Sequence, residues 1–263
     1  MGLSENDKKF LNTYNADEYQ HPSVTVDMLI FTFDIKGDLE ILLIKRKHSP
    51  FQDCWAIPGG FVEIDESLDD AAARELKEET NIEGVHMEQL YTFGSVFRDP
   101  RTRVISVAYL ALVPKGTLEA VAGDDAAEAE WFKVRLENDK LVFSSVTEYA
   151  NGPVETIKYI DLAFDHKEII TTAIERLRGK ISYTPIAFQL LNDNQRFSIY
   201  ELQKVHEAIL GKKLDAANFR RSFIANYVDK GYVEETGEEC TEFSHRASKY
   251  YRYLNKNKEY EEV

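Results

Sequence analysis

The segment covering residues 60–82 constrains the fold of this chain more than any other part of the sequence. It opens on a glycine pair ending at Gly60, and paired glycines let a backbone approach a ligand or another chain segment closely. Ser67 followed by Asp70 forms a capping box, which marks the start of a helix. The segment therefore predicts a tight turn followed by a helix over residues 67–80.

Three carboxylates share one face of this predicted helix. At 100° per residue, Glu75, Glu78 and Glu79 fall within about one quarter of the helix circumference. Carboxylates this close repel one another unless something neutralises them, and magnesium commonly takes several carboxylates together with phosphate oxygens. Ala72 and Leu76 occupy the adjoining face and can pack on a sheet. A solvated acidic face is the alternative interpretation of the three glutamates alone.

The full spacing of the segment resembles the Nudix box, a pattern of glycine, glutamate, arginine and apolar positions. The matching residues are Gly60, Glu66, Arg74, Glu75, Leu76, Glu78, Glu79 and Ile82. Asn81 departs from the pattern, since it stands where the family has glycine. Asn is the next-best residue for left-handed backbone at a helix end, so we expect the departure to spare the metal ligands.

The resemblance implies a fold and a metal. The fold is an α/β/α sandwich with a mixed sheet, and the metal is one or more Mg²⁺ or Mn²⁺ ions. The metal ligands would be Glu75, Glu78 and Glu79, together with the carbonyl of Gly60. Such ions would stabilise charge on a pyrophosphate and activate the attacking water.

The resemblance also implies supporting residues for catalysis. Arg74 and Glu66 would orient the metal-binding carboxylates. The general base of many Nudix enzymes lies outside the box, and here an acidic segment offers Asp124, Asp125 and Glu128. A surface acidic loop is the alternative interpretation of these three residues.

Three arginines are candidates for binding the substrate. Arg46 ends the strand that precedes the glycine pair, where a positive charge would help to hold phosphate. Arg98 and Arg103 belong to an Arg-Asp-Pro-Arg-x-Arg stretch that resembles ADP-ribose-handling members of the superfamily. A solvated loop arginine is the alternative for Arg98 and Arg103. The implied substrate is a nucleoside diphosphate derivative such as ADP-ribose.

The pattern along the chain divides it into three parts. Residues 1–20 are polar and predict a flexible N-terminal segment. Residues 21–182 form the Nudix domain with a linking helix after Asp165, and residues 183–263 form a second domain. Strands are expected at residues 24–33, 39–44, 55–57, 87–97, 103–112, 130–134 and 141–143. Short helices at residues 185–191, 198–210 and 215–229, then strands at 232–235 and 249–254, have the outline of a winged helix.

The C-terminal part narrows the resemblance to one branch of the superfamily. Residues 164–170, 183–191, 200–211 and 218–221 look like the Nudix-related transcriptional regulators of NAD metabolism and their relatives that hydrolyse ADP-ribose. In that branch the Nudix domain senses or cleaves ADP-ribose, and the winged helix binds operator DNA as a dimer. The resemblance therefore implies a homodimer and double-stranded DNA as a partner.

Residue types on the third helix of the second domain suit DNA, but the charge of the domain does not. Residues 184–263 carry 12 Lys and Arg against 13 Asp and Glu, within a chain of net charge −14. A DNA-binding domain is normally basic. Arg220 falls on the apolar side of the helix, which favours a structural role. The candidate DNA contacts are Asn218, Arg221 and Ser222 on the helix, with Lys212, Lys213, Arg246 and Lys249 around it.

The rest of the sequence excludes few classes. No apolar run is long enough to span a bilayer, and the first ten residues lack the apolar core of a signal peptide. Cys54 and Cys240 match no metal spacing and predict reduced thiols in a cytoplasmic protein.

Three functions follow from these features. The first is a hydrolase that cuts ADP-ribose to AMP and ribose 5-phosphate. The second is a repressor whose Nudix domain senses ADP-ribose or another metabolite. The third is an enzyme whose winged helix only mediates assembly. The intact Glu75, Glu78 and Glu79 favour hydrolysis, because a pure sensor need not retain them.

Overall fold

The computed structural model describes residues 2–34, 37–80, 85, 87–115, 126–149, 152–240 and 248–254. Within these ranges no helix is both long and apolar enough to cross a membrane. The N-terminal residues, expected to be flexible, contain helix α1 (Glu5–Thr13), which begins with a capping box between Ser4 and Asp7. All side chains of α1 are exposed. Local capping stabilises this helix without any buried face, and the flexibility of residues 1–20 stays a prediction.

A mixed β-sheet forms the N-terminal domain. In the described residues its strands are β1 (Ser23–Asp34), β2 (Asp38–Arg46), β3 (Trp55–Ala56), β4 (Gly59–Phe61), β5 (Met87–Phe93), β6 (Val104–Leu112), β7 (Ala126–Glu137), β8 (Lys140–Tyr149) and β9 (Gly152–Lys158). The order across the sheet is β5-β6-β1-β2-β7-β8-β9, with β3 beside β2 and β4 beside β1. The β1–β6 pair is parallel and the other pairs are antiparallel.

Helices cover both faces of this sheet, which confirms the predicted α/β/α sandwich. Met28 of β1 packs in the core beneath Ala72 and Leu76 of helix α2 (Leu68–Thr80). The next residue of β1, Leu29, packs in the opposite core with Ile170 of helix α3 (His166–Lys180). Because successive side chains of a strand point to opposite faces, β1 is buried on both sides. The N-terminal half of β1 pairs with β4, and Gly60 of β4 lies beside Glu75 of α2.

The C-terminal domain is a winged helix, as predicted. Its elements are a 3₁₀ turn (Ile186–Leu190), β10 (Phe197–Ser198), α4 (Ile199–Leu210), α5 (Ala216–Phe223) extended by a π turn (Ile224–Val228), β11 (Val233–Cys240) and β12 (Ser248–Tyr253). The small sheet has the order β10-β12-β11. Helix α4 begins at a capping box between Ser198 and Glu201 and ends at Gly211, whose φ of 67° is left-handed.

One apolar core runs from the sheet into the winged helix. It contains Ile174 and Leu177 of α3 together with Phe188, Phe197 and Phe223 of the C-terminal domain. The two domains therefore share this apolar core, and both pack against α3.

Several predicted elements differ in length from those in the structure. Strand β5 ends at Phe93 instead of residue 97, and β7 and β8 are longer than predicted. The sequence analysis missed β9, which starts with Gly152 and Pro153 and pairs with β8 alone. The third helix of the winged helix changes to a π turn after Phe223.

Candidate functional site

The glycine pair before the acidic helix brings β4 into close contact with β1 and α2. A Cβ on Gly59 would lie 2.2 Å from the carbonyl oxygen of Val26, and a Cβ on Gly60 would lie 2.1 Å from Oε1 of Glu75. Neither position has room for a side chain. The absence of side chains at both positions therefore lets the backbone of Gly60 lie directly against the Glu75 carboxylate.

Arg74 holds the acidic cluster together. Its guanidinium donates two hydrogen bonds to Glu66, from Nε to Oε2 at 3.0 Å and from Nη2 to Oε1 at 2.8 Å. Its Nη1 donates to Oε1 of Glu75 at 2.8 Å and to Oε2 of Glu78 at 3.1 Å. A fifth bond reaches the carbonyl of Phe61 at 3.1 Å. Arg74 thus contacts Glu66, Glu75 and Glu78 at once, and the orienting role that the resemblance implies for Arg74 and Glu66 stays a prediction.

The same contacts shift the acidity of two carboxyls in opposite directions. Hydrogen bonds from Arg74 and from the backbone N–H of Glu63 lower the pKa of Glu66 to about 2. Burial raises the pKa of Glu75, and the contact with Arg74 opposes this only in part. The Glu75 carboxylate is thus a buried group that an additional cation would stabilise.

The donor set of this cluster fits a hard divalent cation. Glu75 and Glu79 of α2 are buried, while the side chain of Glu78 is 57% exposed. These carboxylates and the neighbouring backbone of Gly60 offer only oxygen ligands, which Mg²⁺ and Mn²⁺ prefer. Among the described residues, no three Asp, Glu, His or Cys side chains are placed to hold one metal ion together. Arg74 forms ion pairs with both Glu75 and Glu78.

A cavity of about 180 Å³ opens beside the glycine pair. Its walls carry three guanidinium groups and two aromatic rings. They include Arg46, Arg98, Arg101, Phe61 and Phe164. Arginine binds phosphate through paired N–H groups, and aromatic rings stack on flat ligands. The cavity therefore combines groups for an anion with groups for a planar ring, next to the acidic cluster.

Arg98 lines this cavity, but its guanidinium forms ion pairs with two carboxylates. Its Nε and Nη2 donate to Asp165 at 2.8 and 2.7 Å, and Nη2 donates to Asp27 at 3.3 Å. Its side chain is 5% exposed. Ser106 also donates to Asp27. We therefore interpret Arg98 as a support that joins β1 to the start of α3.

His166 completes this buried network. Its Nδ1 accepts a hydrogen bond from the backbone N–H of Ile57 at 2.9 Å, and its Nε2 lies 3.8 Å from Oδ1 of Asp27. Burial lowers the pKa of His166, so the ring is neutral. His166 also lines the cavity.

Phe164 is an aromatic platform for two cavity arginines. The guanidinium carbon of Arg46 lies 5.0 Å from the centre of the Phe164 ring, and that of Arg101 lies 5.7 Å away. Arg101 also lies 5.4 Å from the ring of Phe61. Phe164 has a φ of 50°, a left-handed conformation that non-glycine residues seldom adopt. Sequence reasoning missed Phe164, Phe61 and Arg101, because their association depends on segments far apart in the chain.

The remaining substrate and base candidates lie elsewhere. Arg103 donates to the carbonyls of Gly94, Ser95 and Val104, so it braces the loop between β5 and β6 and does not line the cavity. Glu128 lies on β7, where its Oε1 accepts from Lys45 at 3.2 Å. It is on a strand instead of the predicted loop. Asp124 and Asp125 lie outside the described residues, as do Asn81 and Ile82 of the Nudix box.

The candidate DNA contacts cluster around α5. Asn218, Arg221 and Ser222 are exposed on this helix, and Nη2 of Arg221 donates to Oδ1 of Asn218. Lys212 and Lys213 are exposed in the preceding loop. Arg220 is also exposed, and its structural role stays a prediction; the π turn after Phe223 changes the helix periodicity on which its placement on the apolar side rested.

The acidic wing is less repulsive toward an anion than its composition suggests. Glu235 pairs with Lys249 at 2.7 Å, Glu238 pairs with Arg196 at 2.8 Å, and Glu234 pairs with Arg252. These are exposed pairs, which contribute little to stability but cancel charge locally. Lys249 is thereby committed to Glu235, and the candidate Arg246 lies outside the described residues.

Comparisons with known domain families agree with this two-domain architecture. The NUDIX domain matches residues 22–145, and the NrtR DNA-binding winged helix domain matches residues 187–253. The match to the first covers β1–β7 and the acidic helix. The match to the second covers α4, α5 and the wing.

Two characterised relatives share long stretches of sequence with the chain. An ADPR responsive transcriptional repressor NtrR of Acinetobacter baylyi is 34% identical over 234 residues, which cover 88% of this chain and 82% of the relative. An ADP-ribose pyrophosphatase of Methanocaldococcus jannaschii is 43% identical over 141 residues, which cover 51% of this chain and 78% of the relative. The first similarity is long enough to include both domains, and the second spans about half of the chain.

A solved structure also has this fold. The crystal structure of Shewanella oneidensis NrtR complexed with a 27mer DNA superposes with a TM-score of 0.67 at 30% identity. The match covers 88% of this chain and 93% of that one. The arrangement of a mixed sheet, a linking helix and a winged helix is therefore shared.

Proposed function

This chain belongs to the family of Nudix proteins that carry an NrtR-type winged helix, and from this premise we propose that its Nudix domain is a Mg²⁺-dependent hydrolase of ADP-ribose. The observation that carries the proposal is the acidic face of α2, where Arg74 bridges Glu75 and Glu78 next to Gly60. Mn²⁺ would satisfy the same oxygen ligands. The ADP-ribose pyrophosphatase relative supports the choice of substrate.

The reaction is hydrolysis of a pyrophosphate. An oxygen–phosphorus bond forms between water and one phosphorus, the bridging oxygen–phosphorus bond breaks, and the products are AMP and ribose 5-phosphate. A divalent ion held by Glu75, Glu78, Glu79 and the carbonyl of Gly60 would stabilise the negative charge and make the bound water more acidic.

The protein's own groups bind and orient the substrate in this proposal. Arg101 and Arg46, held over the ring of Phe164, face the phosphates as positive charges. Arg74 and Glu66 fix the positions of the carboxylates of α2. Arg98 keeps β1 and the start of α3 together behind the cavity, so it acts as a positioning residue.

Release of AMP tests the proposal directly. Incubation with ADP-ribose and Mg²⁺ should yield AMP, and Glu79→Gln should reduce the rate by about a hundredfold or more, since it removes a carboxylate next to the charge that develops. The matched control is Glu175→Gln, the same chemical change at an exposed position of α3. Binding of ADP-ribose without any AMP release would contradict the hydrolase and leave a sensor domain.

A second function rests on the exposed face of α5. We propose that the winged helix binds double-stranded DNA as part of a homodimer, so that the chain is also an ADP-ribose-responsive regulator. The exposed Asn218, Arg221 and Ser222 support this, together with the DNA complex of the Shewanella oneidensis protein and the name of the Acinetobacter baylyi relative. The competing role for this domain is assembly alone.

A gel shift separates DNA binding from assembly. Promoter DNA from upstream of the chain's own gene should be retarded, and Arg221→Gln should weaken binding by about tenfold. Arg176→Gln on α3 is the control, because it removes the same charge from an exposed helix position in the other domain. A dimer that retards no such DNA would favour the assembly role.

A further inference from the structure

A second and larger cavity lies in the winged-helix domain. It has a volume of about 480 Å³ and is bounded by α4, α5 and the residues that follow α3. Small-molecule sites typically have volumes of about 300 to 1,000 Å³. Among the described residues, none lines both this cavity and the one beside the glycine pair. It is therefore a separate candidate for binding a small ligand.

Aromatic side chains form the floor of this cavity. Phe219, Phe223 and Tyr227 recur at every fourth position of α5 and its π turn, and all three line the cavity. Burial raises the pKa of Tyr227 to about 12, so its hydroxyl keeps its proton and can donate a hydrogen bond. A row of rings with one polar end suits a flat aromatic ligand.

His206 of α4 provides a buried polar group in the cavity wall. The residue is 8% exposed, and its ring lies against Phe219 with centroids 5.0 Å apart. Within the described part of the chain, its Nε2 is buried without a hydrogen-bond partner. Burial lowers the pKa of His206 to about 4, so the ring is neutral near pH 7. Buried polar atoms are normally paired, so a ligand that pairs with Nε2 would stabilise the site.

Two lysines and one carboxylate line the exposed side of the cavity, and the carboxylate, Asp215, accepts a hydrogen bond from the backbone N–H of Asn218 at 2.8 Å. Lys212 and Lys213 both line it, and both are exposed. Lys213 pairs with Glu207 at 3.2 Å, whereas Lys212 has no ion-pair partner among the residues described here. Next to them, Asn218 and Ser222 present polar groups one helical turn apart. These groups favour an anionic substituent on the ligand.

We propose that this cavity is a second ligand site, which binds a small aromatic anion. The ring of the ligand lies on the aromatic floor of α5, a polar atom of that ring pairs with Nε2 of His206, and the anionic group binds Lys212. The proposal does not depend on hydrolysis in the Nudix domain. Because Asn218 and Ser222 are also candidate DNA contacts, an occupant would act on the same face of α5 that DNA would use.

Two probes represent the two sources of such a ligand: benzoate for aromatic carboxylates and AMP for nucleotides. Each is titrated into the full chain, and the ring signals of its histidines are followed by NMR, with His206 identified by the loss of its signal in His206→Phe. His166 lines the other cavity, so a shift of its signal reports separately on a probe that binds in the Nudix domain. We expect saturable shifts of the His206 signal with at least one probe, and which probe acts identifies the source.

Variants then test the assigned contacts by calorimetry. His206→Phe keeps a ring against Phe219 and removes only the polar atoms, and it should weaken binding of the active probe by about tenfold. Lys212→Gln leaves the fold untouched at an exposed position and should weaken binding several-fold. Lys167→Gln, at an exposed position of α3 outside the cavity, is the matched control and should leave the affinity for the probe unchanged.

Three results would overturn the proposal. The first is a His206 signal that neither probe moves at millimolar concentration. The second is binding that both His206→Phe and Lys212→Gln leave unchanged, which would place the probe elsewhere. The third is a His206 signal that moves only when duplex DNA is added, which would assign this face to DNA alone.

Discussion

At the scale of single residues, the closest approach in the candidate active site is between Gly60 and Glu75. Gly60→Ala would put a Cβ 2.1 Å from Oε1 of Glu75, so the carboxylate must turn away. Small displacements of a catalytic group can cost about a hundredfold in rate, and we expect a loss of AMP release of that order. The measurement is kcat/KM for ADP-ribose.

Gly179→Ala is the control for this substitution. Gly179 lies in α3 with no atom near the position of an added Cβ, and alanine favours helix over glycine by about 1 kcal/mol. This variant should keep full activity and gain a little stability. Equal activities of the two alanine variants would show that the contact between Gly60 and Glu75 has no part in catalysis.

His206 gives the protein a pH-dependent stability. Its pKa is about 4 in the folded chain against the ordinary 6.5, so between these values the unfolded chain takes up a proton that the folded chain does not. The free energy of unfolding should therefore fall as the pH drops from 6.5 toward 4, by up to about 1.4 kcal/mol per pH unit. Below the folded pKa this contribution no longer changes.

Urea unfolding at pH 7 and pH 5 measures this effect. His206→Phe removes the titrating group and keeps the ring contact with Phe219, so its stability should fall less over the same interval. Other groups, including the buried His166, titrate in both proteins and cancel in the comparison. Parallel losses of stability in the two proteins would contradict the assignment of the slope to His206.

At the scale of elements, the sequence was most informative where local chemistry defines both ends of a helix. The capping box at Ser198 and the left-handed Gly211 bound α4 as predicted, and the apolar runs at residues 24–33 and 39–44 identified the paired strands β1 and β2. Strand β9 was missed because it begins with Gly152 and Pro153, which usually mark a turn. Its strand structure comes from pairing with β8, which no local pattern encodes.

The sequence predicted only part of the candidate active site, namely the part that lies on one helix. Glu75, Glu78 and Glu79 stand on one helix, so their spacing alone places them together. The cavity beside them is assembled from β2, the loop before β6 and the start of α3. The cation–π contacts of Arg101 with Phe164 join residues 63 positions apart in the sequence, and spacing contains no information about them.

Among the contacts of helix α3, we expect those of Arg178 to contribute most to the interface between the two domains. Nε of Arg178 donates to the carbonyl of Ile209 at the end of α4, and Nη2 donates to the carbonyl of Leu136 in β7, each at 3.0 Å. Arg178→Gln would leave these carbonyls without their charged donor. The loss should be about 2 kcal/mol in the free energy of unfolding, since hydrogen bonds to charged groups contribute about 1.5 to 3 kcal/mol.

Chemical denaturation of Arg178→Gln beside Arg176→Gln tests this joint. Arg176 lies on the same helix, is exposed and carries the same charge, so its substitution should change stability by less than about 0.5 kcal/mol. A separate unfolding transition of the winged helix in Arg178→Gln would locate the weakened joint. Identical denaturation curves would show that Arg178 adds nothing to it.

At the scale of the whole molecule, the two domains that carry the candidate functions share one continuous apolar core. The core that lies under the sheet extends through Ile174 and Leu177 of α3 to Phe188 and Phe223 of the winged helix. The network of Arg98, by contrast, anchors the first turn of α3 in the wall of the substrate cavity. Helix α3 therefore touches the Nudix cavity at one end and the winged helix at the other, so a shift at one end can reach the other through a rigid element.

This geometry predicts that ADP-ribose changes the affinity for DNA. The test uses Glu79→Gln, which should bind ADP-ribose without consuming it, and measures the Kd for promoter DNA with and without ADP-ribose. Linked sites typically change each other's affinity by about 5- to 150-fold, and the change is reciprocal, so the DNA should alter the Kd for ADP-ribose by the same factor.

Adding Arg178→Gln to the Glu79→Gln variant should bring the factor by which ADP-ribose changes the affinity for DNA toward one. The affinity for each ligand alone should stay nearly unchanged, because Arg178 lines neither cavity. Glu79→Gln with Arg176→Gln should keep the full factor. A factor of one in Glu79→Gln itself, with both ligands bound, would mean that α3 joins the domains mechanically without coupling their ligands. A factor that survives Arg178→Gln would instead assign the coupling to the apolar core around α3.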